Sequence, residues 1–341
     1  MDERATQVLR YIVEDYIATA EPVGSRTISK KMGQALSPAT IRNIMADLEE
    51  MGFLAQPHTS AGRVPTPAGF RYYIDHLLML QNVAKGEVDQ LNLAAGEGSA
   101  PADELVRQVS RLLANLTHQA SVVIVSRPDQ QRLRSVNLMR AAVDKILLVA
   151  VMEGGWVQHR LIEGEADLTG DELEKINAYL NGIAEGLTLP QLRARILTEL
   201  QKERARYDRV MRRALTMGAR ALADSGPGEV FVEGRANILD QPEFAEDVQR
   251  LKRILRAFEE KSVIFRLLDR AMDRQAIQVS IGSENPVEDL GDVSVVASGY
   301  RQGASAVGSI GLIGPVRMDY SRVIPLVKYT ASLLTTMFGQ R

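Results

Sequence analysis

Between Ser37 and Gly52 the sequence SPATIRNIMADLEEMG carries the side chains whose types and spacing suit a chemistry of recognition. At helical spacing Ile41, Ile44, Met45, Leu48 and Met51 share one face, and Ala39, Thr40, Arg42, Asn43 and Ala46 share the other. The first face is made for a core. The second suits base edges: arginine pairs with guanine, asparagine with adenine, and threonine with either. The small Ala39 and Ala46 would let such a helix approach a groove closely. Ser37 at the N-cap and Pro38 at the first helical position start it, and Gly52 ends it. Its N-terminal N–H groups and positive dipole end favour a phosphate.

A reading helix must be held by others. Val8, Leu9, Ile12, Val13, Tyr16 and Ile17 line one face of a preceding helix, which Pro22 and Gly24 break. Ser25 reads as the N-cap of a short second helix with Ile28 and Met32 on its apolar side and Gly33 at its end. Two short helices a few residues apart, after a longer one, have helix-turn-helix spacing. On this reading Thr40, Arg42 and Asn43 read bases, while Ser25, Arg26, Thr27 and Ser37 position phosphates. After Gly52, Phe53–Ala55 and Val64 read as the two strands of a β-wing. Ser60, Gly62 and Arg63 lie between them, and Arg63 is expected at the tip, against phosphate or in a minor groove. Thr66 and Pro67 then cap another helix. The bland alternative is a piece of helical bundle with a solvated face; the wing favours DNA. Residues 24–46 hold four basic and no acidic side chains, yet residues 1–80 hold eight basic and nine acidic. The basic surface must therefore be one-sided, with Asp2, Glu3, Glu14, Asp15, Glu49, Glu50 and Asp75 facing away.

The remaining chemistry is mostly excluded. The 341 residues suit two to three domains. With 45% apolar and 25% charged residues the chain is an ordinary globular one, and a net charge of −2 argues against a general polyanion binder. Cysteine is absent, which removes disulfides, thiol nucleophiles and thiolate zinc sites. His58, His76, His118 and His159 are isolated, and no nucleophile elbow is present. Gly303 and Gly308 have phosphate-loop spacing, but Ser309-Ile310 replaces the required Lys-Ser/Thr, so these glycines read as bulges or close sheet contacts. No enzyme, metal or cofactor is expected. The N-terminus is charged from residue 2 and no apolar run approaches a membrane span, so a soluble cytoplasmic protein is expected.

Residues 1–80 read as the DNA-binding unit and 81–102 as a linker. Strand-like runs follow at SVVIVS, SVNLMRA, KILLVAVM and WVQHRLIE, with Glu153-Gly154-Gly155 as a turn between the last two. A mainly helical stretch comes next, then AIQVSIG, DVSVVASGY and AVGSIGLIGPV, then a helix over 319–338. Strands, a helical excursion and strands again suggest an α/β domain with another inserted in it. Residues 189–221 read as a long helix with an arginine-rich solvated face. Its stripe of Leu189, Leu192, Ile196, Leu200, Tyr207, Val210, Ala214 and Met217 suits a subunit interface.

Three stretches, EPVGSRTIS, LSPATIRNIMADLEEMGFLAQPHTSAGRVPT and GSIGLIGPVRMDYSRVIPLVKYTA, together resemble the bacterial HrcA family of heat-inducible transcription repressors. The resemblance covers essentially the whole chain. It implies an α+β multidomain protein: a winged helix-turn-helix at 1–80, a discontinuous GAF-like domain at 103–165 and 262–341, and a mainly helical dimerisation domain inserted at 166–261. It also implies a homodimer that binds an inverted-repeat CIRCE operator on double-stranded DNA, loses activity on heating and is supported by a GroE-type chaperonin. Two other readings stand beside it. One is a ligand-responsive regulator whose GAF-like domain senses a small molecule; the other is a chaperone-associated thermosensor.

Overall fold

Helical structure begins where a side chain supplies the missing acceptor. In the computed structural model Asp2 accepts from the Ala5 N–H at 2.7 Å and opens α1 (Glu3–Thr19). The structure describes residues 1–58, 61–96, 102–126, 132–153, 157–163, 168–201, 209–221, 228–245, 247–272, 276–302 and 305–339. Then come α2 (Ser25–Lys31), α3 (Pro38–Glu50), a hairpin of β1 (Leu54–Ala55) and β2 (Val64–Pro65), and α4 (Pro67–His76). Val8, Leu9, Ile12, Ile28, Ile41 and Leu48 are fully buried between the helices, as their spacing predicts.

One local expectation fails. Gly24, not Ser25, is the N-cap of α2. Val23 exchanges two backbone hydrogen bonds of 2.9 Å with Arg63, which keeps the chain extended up to Gly24 and makes Ser25 the first helical residue. The crossing is tight: a Cβ on Gly62 would sit 2.4 Å from the Val23 carbonyl oxygen.

The stretch expected to be a linker is largely helix α5 (Lys85–Gly96), with Leu91 and Ala95 buried. Glu87 pairs with Arg322 at 2.6 Å and Asn92 accepts from the Tyr329 hydroxyl at 2.9 Å, so α5 is docked on the C-terminal helix. Its low amphipathicity hid this: only two of its side chains are buried.

After α6 (Ala102–Thr117) come β3 (Ala120–Ser126), β4 (Leu133–Ala142), β5 (Lys145–Met152) and β6 (Val157–Glu163). Next are α7 (Gly170–Ala184), α8 (Leu189–Gln201), α9 (Arg209–Ala221), β7 (Gly228–Glu233), the short α10 (Ala236–Leu239) and α11 (Pro242–Ala245), then α12 (Val248–Glu259) and α13 (Lys261–Met272). The chain ends in β8 (Gln278–Ile281), β9 (Val293–Gln302), β10 (Ser305–Pro315) and α14 (Tyr320–Gly339). An antiparallel five-stranded sheet has the order β7-β3-β10-β9-β8, and a separate three-stranded sheet the order β4-β5-β6. Ile310 and Leu312 pack in the core with α6 and α14, while Ile313 points to the opposite face with α13.

This pairing redraws the expected boundaries. The strands β4–β6 do not join β3 in the main sheet, although they were placed with it. Conversely β7, expected inside the insertion, pairs with β3 from Ser121↔Glu233 to Ser126↔Gly228. The excursion therefore runs from β4 to α9, and the chain is back at the main sheet by Gly228. Sequence order alone hides this, because the six residues GEVFVE sit within a helix-rich stretch. The stretch expected as one helix over 189–221 is described as α8 and α9, and most of the described part of its stripe is spent internally. Leu189, Leu192, Ile196, Ala214 and Met217 are buried in the protomer's own core, while Tyr207 lies outside the described residues, as do Gly154, Gly155 and Gly303 of the turn and the glycine-rich segment. Gly308 is a close sheet contact: a Cβ there would lie 2.0 Å from the Ile124 carbonyl oxygen.

Candidate nucleic-acid interface

The presented surface starts with the turn between α2 and α3. Gly33 and Gln34 both have φ of 62°, a left-handed pair that reverses the chain. The Ser29 hydroxyl donates to the Leu36 carbonyl at 2.8 Å and ties the turn together. Lys31 pairs with the largely buried Asp15 of α1, which anchors the end of α2. Lys31, read as part of a basic patch, thus pairs with an acid of its own chain that was expected to face away, while its side chain stays 46% accessible.

Ser37 caps α3 as expected: its Oγ accepts from the Thr40 N–H at 3.1 Å and lies 2.9 Å from the Thr40 hydroxyl. Ile41, Met45 and Leu48 are buried, and Ala39, Thr40, Arg42, Asn43 and Ala46 are exposed on the opposite face. Arg26 and Thr27 are exposed on α2, with Lys30 exposed further along the same helix. Ser25 is only 9% accessible, so its hydroxyl is a poor phosphate contact from this arrangement. The structure thus groups Arg26, Thr27, Ser37, Thr40, Arg42 and Asn43 around the α2–α3 turn and α3, and leaves Ser25 beneath them.

Arg63 stands elsewhere than expected. It lies at the base of the wing, beside β2, not at the tip. Its guanidinium donates to Glu49 of α3 at 2.8 Å, with 19% of the side chain accessible. Glu49, expected to face away, instead joins the hairpin to α3. Opposite charges at 49 and 63 were visible in sequence, but their meeting required the hairpin to return. At the wing, Gln56 donates to the Ala61 carbonyl at 3.1 Å; Ser60, expected in this loop, lies outside the described residues.

What this arrangement can do is present one helix face of donors, acceptors and a cation, with a short hairpin beside it. That is the geometry by which a winged helix meets a duplex. Among the described residues no group of acidic or histidine side chains is arranged to hold a metal, and no helix is long and apolar enough to cross a membrane.

The comparisons agree with this geometry. The sequence model of the family described as "HrcA protein C terminal domain" matches residues 103–324. The chain is 41% identical over 337 residues to the heat-inducible transcription repressor HrcA of Geobacter sulfurreducens, covering 99% of this chain and 98% of that one. It is 42% identical over 342 residues to the heat-inducible transcription repressor HrcA of Syntrophobacter fumaroxidans, covering 100% and 98%. A crystal structure described as that of a hypothetical protein at 2.2 Å resolution shares the fold, with a TM-score of 0.66 at 22% identity over 100% of this chain and 99% of that one. Likeness at this level and over this length, in a mixed α/β chain that opens with a hairpin-flanked helix-turn-helix, shows that the chain belongs to the HrcA family of heat-inducible transcription repressors.

Proposed function

We propose that this repressor binds an inverted-repeat operator of the CIRCE type as a homodimer, each protomer laying α3 in a major groove. The observation that carries this is the exposed face of α3, where Thr40, Arg42 and Asn43 project beside the small Ala39 and Ala46. Arg26, Thr27 and Ser37 would contact the phosphates that flank the groove. Arg63 would act first by holding the wing to Glu49, and could meet phosphate only by releasing it.

A palindromic operator requires two-fold symmetry in its reader. The three-stranded sheet supports a second copy of the chain as the partner. One face packs on α7, and Asn177 and Asn181 close its β4 edge by bonding the Val136 and Leu138 backbone at 2.7–2.9 Å. The other face aligns Met139, Leu147 and Leu161 across the strands, and Met139 is 48% and Leu161 47% accessible. Covering that face with a second copy removes apolar surface from water. The unit from β4 to α9 would then be the dimerisation domain and the five-stranded sheet the GAF-like one. DNA stabilises the competent form by mass action, and so does a GroE-type chaperonin if it binds that form; heating would deplete it.

Binding of the purified protein to a CIRCE-type inverted repeat and to a scrambled duplex of equal length, across a salt series and at two temperatures, tests this. A strong operator preference that survives physiological salt and falls on warming is expected. Equal, steeply salt-dependent binding to both duplexes would overturn it.

A further inference from the structure

We propose that Arg71 and Arg317 are positioning residues that set the spacing between operator half-sites, by locking the reading domain onto the body of the protomer; this rests on the dimeric inverted-repeat reading above. Both lie away from the exposed face of α3. Arg71 leaves α4 and crosses to the loop after β8. Its Nε donates to Glu284 Oε1 at 3.0 Å, and its Nη2 donates both to Glu284 Oε2 and, at 2.7 Å, to the Val279 carbonyl. Glu284 is itself held by the Ile281 N–H at 2.9 Å. The two surfaces touch closely here: a Cβ on Gly282, whose φ is +55°, would lie 3.3 Å from Pro67 of α4.

Arg317, between β10 and α14, makes a second lock. Its guanidinium grips both carboxylate oxygens of Glu243, and its Nη1 donates at 3.2 Å to the carbonyl of Ile17 near the end of α1. Between the two locks Phe70 of α4 sits 6.3 Å from Tyr16 of α1 and 6.2 Å from Tyr320 of α14, ring centre to ring centre. A third contact ties Gln81 to Ser321 through a backbone bond of 3.0 Å and a side-chain bond of 2.9 Å.

An arginine fork bonded at two atoms fixes direction as well as distance, which an ammonium does not. The Arg71 fork spans the reading domain and the body directly, whereas the Arg317 fork on Glu243 lies within the body and aims its Nη1 at the Ile17 carbonyl; the resulting contacts on α4 and α1 oppose rotation of the reading domain about the aromatic contact. The core residues Val8, Ile12, Ile28, Ile41 and Leu48 close the small domain without either fork, so the forks chiefly serve its orientation. In a two-fold dimer, that orientation determines the separation of the two reading helices. Half-sites must match that separation along the helical repeat of DNA.

The test uses the full-length protein and duplexes carrying the two arms of a CIRCE-type inverted repeat, with the spacer changed in single base-pair steps. A duplex with one arm only measures the reading domain itself. The unaltered protein should prefer one spacing by about tenfold or more over its neighbours. Arg71→Ala and Arg317→Ala should each flatten that preference several-fold while leaving one-arm affinity and the thermal unfolding midpoint of the reading domain nearly unchanged. Arg71→Lys, which keeps the charge and loses the fork, should behave like Arg71→Ala, and the exchange Arg71→Glu with Glu284→Arg should restore part of the preference. Spacing preference retained in full by both alanine variants overturns the proposal. So does an equal loss on one-arm and two-arm duplexes, because it would make these residues DNA contacts or folding determinants. Equal affinity of the unaltered protein for one-arm and two-arm duplexes would instead overturn the dimeric operator reading beneath it.

Discussion

Arg42 and Arg71 stand in the same small domain and have opposite fates. Arg42 projects from α3 into solvent, whereas Arg71 has its guanidinium on Glu284, Val279 and Asp75. The first is left open to solvent; the second is saturated by its own chain. Residue type therefore says little about the role of a cation in this domain, and the face it occupies says almost everything. A milder contrast separates Lys30 from its neighbour Lys31: both are exposed, but Lys31 is paired with Asp15. A face that keeps its donors free is suited to reading, and a face that spends them is suited to holding.

The contrast can be broken most severely at the layer both faces share. Ile41→Ala, at a fully buried position beneath α3, should destabilise the reading domain by about 2–5 kcal/mol, seen in chemical denaturation, and abolish operator binding with it. Arg42→Ala separates reading from folding. Operator affinity should fall by about 1–3 kcal/mol with an unchanged unfolding midpoint, if the contact is bidentate to a base. An equal loss on random duplex would make it a phosphate contact. Ser37→Ala removes the acceptor for the Thr40 N–H and should cost about 1 kcal/mol of stability. It should also weaken binding slightly through fraying of the first turn of α3.

The smallest effect is acid loosening of the holding face. Burial acts to raise the Glu284 carboxyl, but hydrogen bonds from Arg71 and from the Ile281 N–H outweigh it and hold the group below its usual value of 4.5. A depressed carboxylate adds stability that is fully present above the unfolded value and is lost as pH falls through the folded one. The junction should thus be intact at neutral pH and loosen only below about pH 4.5. Hydrogen exchange of the 278–284 segment, followed down a pH series and corrected for intrinsic exchange, reads this; Glu284→Gln should remove the dependence.

Local signals in the sequence were enough for the reading helix. The Ser37-Pro38 start, the apolar spacing of Ile41, Met45 and Leu48, and the left-handed Gly52 are all features of adjacent residues. The strands SVVIVS and DVSVVASGY were legible for the same reason. Less legible was α5, where only Leu91 and Ala95 are buried and the amphipathic pattern is faint. The N-cap of α2 was misplaced because a backbone bridge from Val23 to Arg63, across 40 residues of chain, overrides the local preference of serine.

By itself the sequence determined most of the helices and strands, such as α1, α3, β3 and β9, which side of each is apolar, and through long matched motifs the family to which the chain belongs. Tertiary structure alone decided that β7 completes the five-stranded sheet, that β4–β6 form their own sheet, and that Leu189, Leu192, Ile196, Ala214 and Met217 of the 189–221 stripe are buried within one protomer. It also decided that Arg63 serves Glu49 and that Arg71 meets Glu284, 213 residues away. The reason is physical. Helix periodicity and capping depend on neighbours within a turn or two, so they are written locally. Sheet partners and ion-pair partners are chosen by which surfaces meet once loops have closed, and sequence spacing carries no record of that choice.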